Sequence, residues 1–185
     1  GSGRLASEPR WLRRLLSMRI LKADRRLGVV SLVPQGVEDI WDLYNIVEAD
    51  DYVSCQTQRA LRPSGGPEGE KTRVKVHLTV RVEGTELDLQ SETLKVGGVV
   101  VRAPETVEGV VGRHHSLKIR PGLSVQLQKG EWLGYHWRRL LSSVKRPQPP
   151  LVVVAVETGS CAVGIVRQFG VQSIHEVERH IPGKT

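Results

Sequence analysis

Ten residues constrain this chain more than any others. In RVKVHLTVRV, residues 73–82, Val74, Val76, Leu78, Val80 and Val82 alternate strictly with Arg73, Lys75, His77, Thr79 and Arg81. Only a β-strand repeats its side-chain direction every two residues, so one face belongs in a core and the other is basic. Shorter strand signals surround it, at 27–33, 52–60, 85–90, 93–96, 98–102, 115–120 and 123–128. Strands this short and this closely spaced, with Gly and Pro between them, predict a mainly β fold built as a small closed barrel.

Two stretches change period. Val37, Ile40, Trp41, Tyr44 and Val47 fall on one face of a helix over 37–47, with Glu38 and Asp39 in the first turn, where the helix dipole favours acids. Leu133, Trp137, Leu140, Leu141 and Val144 do the same over 131–144, with Arg138, Arg139 and Lys145 near the end. Then KRPQPP, 145–150, marks a stiff linker and a domain boundary. Beyond it, LVVVAVETGSCAVGIV reads as two apolar strands around a turn, with VQSIHEVERHI as a third. Residues 151–185 are too few for a standard domain, so this second unit reads as cut short.

The formal net charge of +7 sits mostly at one end. Residues 1–26 hold eight Lys or Arg against Glu8 and Asp24, a net of +6, leaving 19 basic and 18 acidic residues in the rest. Any basic patch on the body must therefore come from geometry rather than excess charge. The opening Gly-Ser-Gly reads as a tag remnant, and residues 1–17 as a flexible tag or N-terminal extension. A mitochondrial-type presequence is the other reading of RLASEPRWLRRLLS. Cys55 and Cys161 form no CxxC pair, which predicts a reduced, cytoplasmic protein. No apolar run approaches the roughly 18 residues a membrane span needs.

Catalytic signatures are scarce. His114 and His115 are adjacent, so in a strand they point to opposite faces and chelate poorly; no metal site is expected. The terminal PGKT lacks the first glycine of a phosphate loop, since Glu178 stands there. Glu38, Asp39, Asp42, Glu48, Asp50 and Asp51 could hold catalytic metal only if they converged; around a helix and its exit they read as a solvated face. The basic strand face is more telling. Arg59 and Arg62 lead through LRPSGGPEGE, expected to be disordered, into Arg73 and Lys75, and such a hairpin can carry cations into a phosphate-lined channel.

MRILKADRRLGVVSLVP, EDIWDLYNIV, RVKVHLTVRVE, VGRHHSLKI and LQKGEWLGYHW follow one another from Met18. Together, and in this order, they resemble the Pelota family, the ribosome-rescue relatives of class-one release factors; the resemblance runs to Thr185. It implies an Sm-like small β-barrel with two packed helices over 18–144, followed by the truncated start of an α/β central domain at 151–185. It implies a ribosome-binding module that occupies the decoding centre of the empty A site, beside rRNA and mRNA. A translational GTPase would be its partner, bound mainly through other domains. Subunit dissociation and support of no-go and non-stop mRNA decay would follow. The RNA-binding residues would be Arg59, Arg62, Arg73, Lys75, His77 and Arg81, and the structural signature Trp41, Tyr44, Asn45 and Trp132. Trp41 and Tyr44 would pack on the barrel. A monomer without enzymatic activity, cofactor or membrane contact is expected. The alternative is a metal-dependent RNA endonuclease acting through this domain, with Glu38 and Asp42 as candidate acids. A second alternative is a plain Sm-like single-stranded RNA binder. Gly97-Gly98 departs from the Lys-Gly step usual in the family.

Overall fold

In the computed structural model, residues 17–61, 72–105, 107, 109–145 and 151–179 are described, with only the backbone considered at 59–61 and 72–74. The expected loop centre, with Arg62, and the linker 146–150 lie outside the described residues. The chain divides into two compact units, Gly1–Arg146 and Pro147–Thr185.

The first unit is one seven-stranded antiparallel sheet, ordered β1-β2-β7-β3-β4-β5-β6. Its strands are β1 (Arg19–Asp24), β2 (Val29–Val33), β3 (Tyr52–Leu61), β4 (Thr72–Asp88), β5 (Thr93–Arg102), β6 (His114–Ile119) and β7 (Val125–Gln128). Helix α1 spans Val37–Tyr44 and α2 spans Gly134–Val144. The mainly β architecture is as the sequence predicts.

β4 is the spine. Its first half pairs with β3 from Leu61↔Thr72 to Tyr52↔Arg81, and its second half pairs with β5 from Thr79↔Arg102 to Asp88↔Thr93. The strands expected separately at 73–82 and 85–90 are one strand, and so are those at 93–96 and 98–102. Register shifts at Thr79/Val80 and Val82/Gly84 bend β4 where the sequence suggested a break. Gly98 is required there, because a Cβ on it would stand 1.9 Å from the Arg81 carbonyl oxygen. The bend curls the sheet so that β6 approaches β3, and Thr57 Oγ1 lies 3.3 Å from His115 Nε2.

The curled sheet encloses Val30, Leu32, Val53, Cys55, Leu78, Val80, Leu94, Val96, Leu117, Ile119 and Leu127, all fully or almost fully buried. Val76 and Val82 complete the inward row of the alternating segment. Burial pushes the Cys55 thiol up to about 12, so it is a packing residue with little thiolate character.

The helices are phased differently from expectation. α1 buries Val37, Ile40 and Leu43, while Trp41 and Tyr44 are half-buried on its flank with ring centroids 6.0 Å apart. Tyr44 packs on the core, as expected. Asn45 ends the helix, its backbone N–H and its side-chain Nδ2 both donating to the Trp41 carbonyl at 3.2 and 2.7 Å. α2 buries His136, Leu140 and Ser143, whereas Leu133 and Leu141 are exposed. The expected apolar stripe is thus displaced by a stripe with polar ends, because α2 faces the acids of α1.

The second unit is a meander of β8 (Leu151–Glu157), β9 (Ser160–Arg167) and β10 (Gly170–Glu178), ordered β10-β9-β8. Apolar side chains at odd and even positions of β8 are exposed alike, with Val152 at 51 % and Val153 at 43 %. That pattern suits a strand covered on both faces. No helix is long and apolar enough to cross a membrane among the described residues.

Candidate nucleic-acid interface

The β3–β4 ribbon sets the geometry. On its outward row, Tyr52 faces Arg81, Ser54 faces Thr79, Gln56 faces His77, Gln58 faces Lys75 and Ala60 faces Arg73. Near the core this row is covered: the Ser54 and Thr79 hydroxyls are 2.8 Å apart and buried. Arg81 is held by Asp50 at 2.8 Å. Further along, Lys75 is exposed beside Gln56 and Gln58, His77 continues the same row, and this stretch carries no carboxylate.

The six expected RNA-binding residues therefore separate. Lys75 and His77 stand together on the open part of the row. Arg81 lies at its base in an ion pair. Arg73 continues the alternation of Lys75, whereas Arg59 pairs with Val74 and follows the alternation of Val53 and Cys55. Arg62 is outside the described residues.

The acids have another fate, and here the sequence reading needs correction. Asp39, Asp42 and Asp51 are 4 %, 1 % and 5 % exposed, so they are not a solvated face. Asp39 accepts the Gln35 N–H at 2.7 Å, just before α1. Asp42 accepts from Ser143 and from Arg139 Nη1, the latter at 3.2 Å, which ties α1 to α2. Lys129, missed in the sequence, organises the rest. Its ammonium donates to the Ile46 carbonyl (2.8 Å), Glu48 Oε2 (2.9 Å) and Asp51 Oδ2 (2.6 Å). Three donors meet three acceptors, which is what lets a lysine side chain 1 % exposed remain buried.

Glu48 also accepts from the Tyr135 hydroxyl at 2.6 Å. That bond, more than those from Lys129 and His136, holds the Glu48 carboxyl down at about 2 against the desolvation that opposes it. The same contact raises the Tyr135 phenol above its ordinary range. His136 Nδ1 accepts the Leu133 N–H at the start of α2, leaving the ring proton on Nε2, 3.2 Å from Glu48 Oε2. That approach is close but poorly aligned, for Nε2 lacks a well-formed hydrogen bond. No local pattern announces this network: Lys129 lies 81 residues from Glu48.

The remaining candidates are placed plainly. His114 meets Glu83 at 3.1 Å and His115 meets Thr57, so the adjacent pair does face opposite ways. Trp132 is half-buried and donates from Nε1 to the Gly28 carbonyl at 2.7 Å, a tie between the start of β2 and the approach to α2. Among the described residues, no three His, Cys, Asp or Glu side chains converge as a metal site.

Comparison with known proteins bears on what the ribbon does. The family profile described as the Pelota N-terminal domain matches residues 18–144. The chain is similar to the "Protein pelota homolog" of Hyperthermus butylicus, 35 % identical over 170 residues, and to that of Methanopyrus kandleri, 30 % identical over 172 residues. Each alignment covers 90 % of this chain and 46 % of the relative, so the chain spans about half the length of these relatives. Among solved structures, the Thermoplasma acidophilum Pelota protein superposes with a TM-score of 0.64 at 17 % identity, over 86 % of this chain and 44 % of that one, a likeness of fold. An archaeal Pelota in a model of its ribosome-bound form with ABCE1 has a TM-score of 0.59 at 25 % identity, over 86 % and 45 %.

Proposed function

The chain belongs to the Pelota family, and on that premise we propose that its first unit is the ribosome-contacting module of a rescue factor. The module enters the empty A site of a stalled ribosome and presents the β3–β4 ribbon to rRNA and mRNA at the decoding centre. The longer protein, with a translational GTPase partner, promotes subunit dissociation in no-go and non-stop decay in the cytoplasm. The module works by binding rather than by chemistry.

One observation carries this reading: the ribbon continues the alternation past the covered Ser54–Thr79 pair into an open row where Lys75 and His77 stand without a carboxylate. An unopposed cation on a strand that leaves its own core is available to phosphate. Each phosphate it neutralises adds counterion-release affinity. Nothing favours the nuclease alternative comparably. Its candidate Asp42 is buried against Ser143 and Arg139, at the α1–α2 junction rather than toward the ribbon.

The test is a salt titration of binding to ribosomes with an empty A site. Changing Arg59, Arg62, Arg73 and Lys75 together to Ala should weaken binding and flatten its salt dependence by about 0.7–0.9 for every phosphate no longer neutralised. An unchanged slope would place the ribosome-binding surface elsewhere on the molecule.

A further inference from the structure

A second cationic feature lies on the other side of the sheet order. β2, β7 and β3 separate β1 from β4, roughly 20 Å along the sheet at ~4.8 Å per strand. The turn from β1 to β2 carries Arg25 and Arg26, both exposed. It is a built turn, because Asp24 Oδ1 accepts the N–H groups of Arg26 at 3.0 Å and Leu27 at 3.1 Å. The acid of this turn is thereby engaged with backbone, not with the arginines.

The turn is also anchored to the start of α2. The Gly28 carbonyl accepts from Lys129 N at 3.0 Å and from Trp132 Nε1 at 2.7 Å. Gly28 has φ +64°, and a Cβ there would sit 2.4 Å from the Lys129 oxygen, so the close approach needs glycine. This junction brings Arg25 over the Trp137 ring, with its guanidinium carbon 4.9 Å from the centroid. Trp137 in turn lies 4.7 Å from Trp132 at an interplanar angle of 33°. The result is a ladder of guanidinium, indole and indole along a groove also lined by Arg26, Gln128 and Glu131.

A charged turn beside an edge strand has a bland explanation: cations on β1, such as Arg19 and Lys22, discourage edge-to-edge pairing. That accounts for charge but not for the ladder. Protection of an edge needs no guanidinium seated over paired indoles, and no glycine-dependent approach to hold it there. Stacked planes next to an exposed cation are what recognition of a splayed-out base requires. A duplex keeps its bases stacked inside, and an acidic peptide would have no use for the indoles.

We infer that this groove is a second RNA-binding site, taking one unpaired nucleotide whose base stacks on the Arg25–Trp137 ladder while its phosphate meets Arg26. The inference rests on the ribosome-binding reading above and adds to it a separate site. A single strand engaged at both the groove and the β4 row would be held at two points, which raises affinity by effective concentration. Glu131, on the groove's rim, sets its selectivity against a second phosphate by repulsion.

The experiment uses the whole chain and an oligouridylate bearing 4-thiouridine. Binding is read by anisotropy, and the photo-adduct is mapped by peptide mass. The expected adduct falls on the peptide containing Trp132 and Trp137. Arg25→Gln with Arg26→Gln should abolish that adduct, weaken binding about fivefold or more, and lower the salt slope by about 0.7 for every phosphate released. The melting temperature should not change, since both side chains are exposed. Lys75→Ala with His77→Ala should weaken binding and leave the tryptophan adduct in place. If the arginine variant binds and cross-links as the parent while the β4 variant is impaired, the groove is not an RNA site and the ribosome reading stands. If neither variant alters oligonucleotide or ribosome binding, that reading falls as well. Displacement of the RNA by polyglutamate at lower concentration than by unlabelled oligouridylate would reassign the groove to an acidic peptide and overturn the inference.

Discussion

The exit of α1 and the outward row of β4 carry opposite charges, and the structure treats them in opposite ways. Glu48 and Asp51 turn onto one buried ammonium, and Asp42 turns onto Ser143 and Arg139. Lys75, with His77 beside it on the row, remains in solvent. The acids, which looked like surface, are part of the frame; the cations, on a strand that looked like core on one side, are available to a ligand. Charge by itself says nothing about role. A paired charge with all its hydrogen bonds made specifies structure, whereas an exposed one adds little to stability and can serve binding.

This contrast is most sharply tested at Lys129. Lys129→Met leaves Glu48 and Asp51 facing each other without a cation and should cost about 3–5 kcal/mol in denaturant unfolding. Adding Asp51→Leu should recover part of that loss, because removing both members of a buried pair is far less harmful than removing one. A loss no larger than that of a surface lysine would show that the acids, after all, reach water.

Acid should act in the same place. The folded Glu48 carboxyl titrates at about 2, below its ordinary value of 4.5. Its contribution is complete above about 4.5 and is lost as pH falls toward 2, where the folded state must take up the proton it had excluded. The melting temperature should decline through that window, and less steeply in Glu48→Gln. An equal decline in the variant would assign the acid sensitivity to other carboxylates. Since Glu48 is half exposed, solvent screening makes this effect smaller than that of Lys129.

Trp41→Ala should cost about 1–2 kcal/mol, short of the roughly 3–5 kcal/mol typical for a fully buried aromatic, since the ring lies on the flank of α1 beside Tyr44. Thermal or denaturant melting decides this, and a loss near the upper figure would return Trp41 to the core. The smallest effect belongs to the other side of the comparison. Lys75→Ala with His77→Ala should change stability by less than about 0.5 kcal/mol. A larger loss would make the open row structural and remove the contrast.

Much of the fold is legible from the chain. The alternation at 73–82, the helix-forming acids before Ile40 and the prolines at 147–150 each act within a few residues of themselves. Where the sequence misleads, distance or context is responsible. β1 escapes notice because its RILKAD lies mostly exposed at the sheet edge and shows no inward row. β4 and β5 each read as two strands because Gly84 and Gly97-Gly98 resemble breaks, yet they meet at a bulge where a side chain would collide. The helices are legible but rotated, because Asp42 and Ser143 face each other in place of an apolar seam.

Of the candidate site, the basic row is visible as a period of two, and its pairing with Gln56 and Gln58 is not. Side-chain alternation is a property of one strand, set by backbone geometry between neighbours, so sequence alone determined which residues of β4 face inward and which face out. Whether an outward charge meets solvent, a hydroxyl or a counterion depends on chain brought from far away: Asp50 to Arg81 across 31 residues, Asp51 to Lys129 across 78. Electrostatic partners are chosen by proximity in space at the cost of desolvation, and only the curled sheet and its two helices decided that proximity.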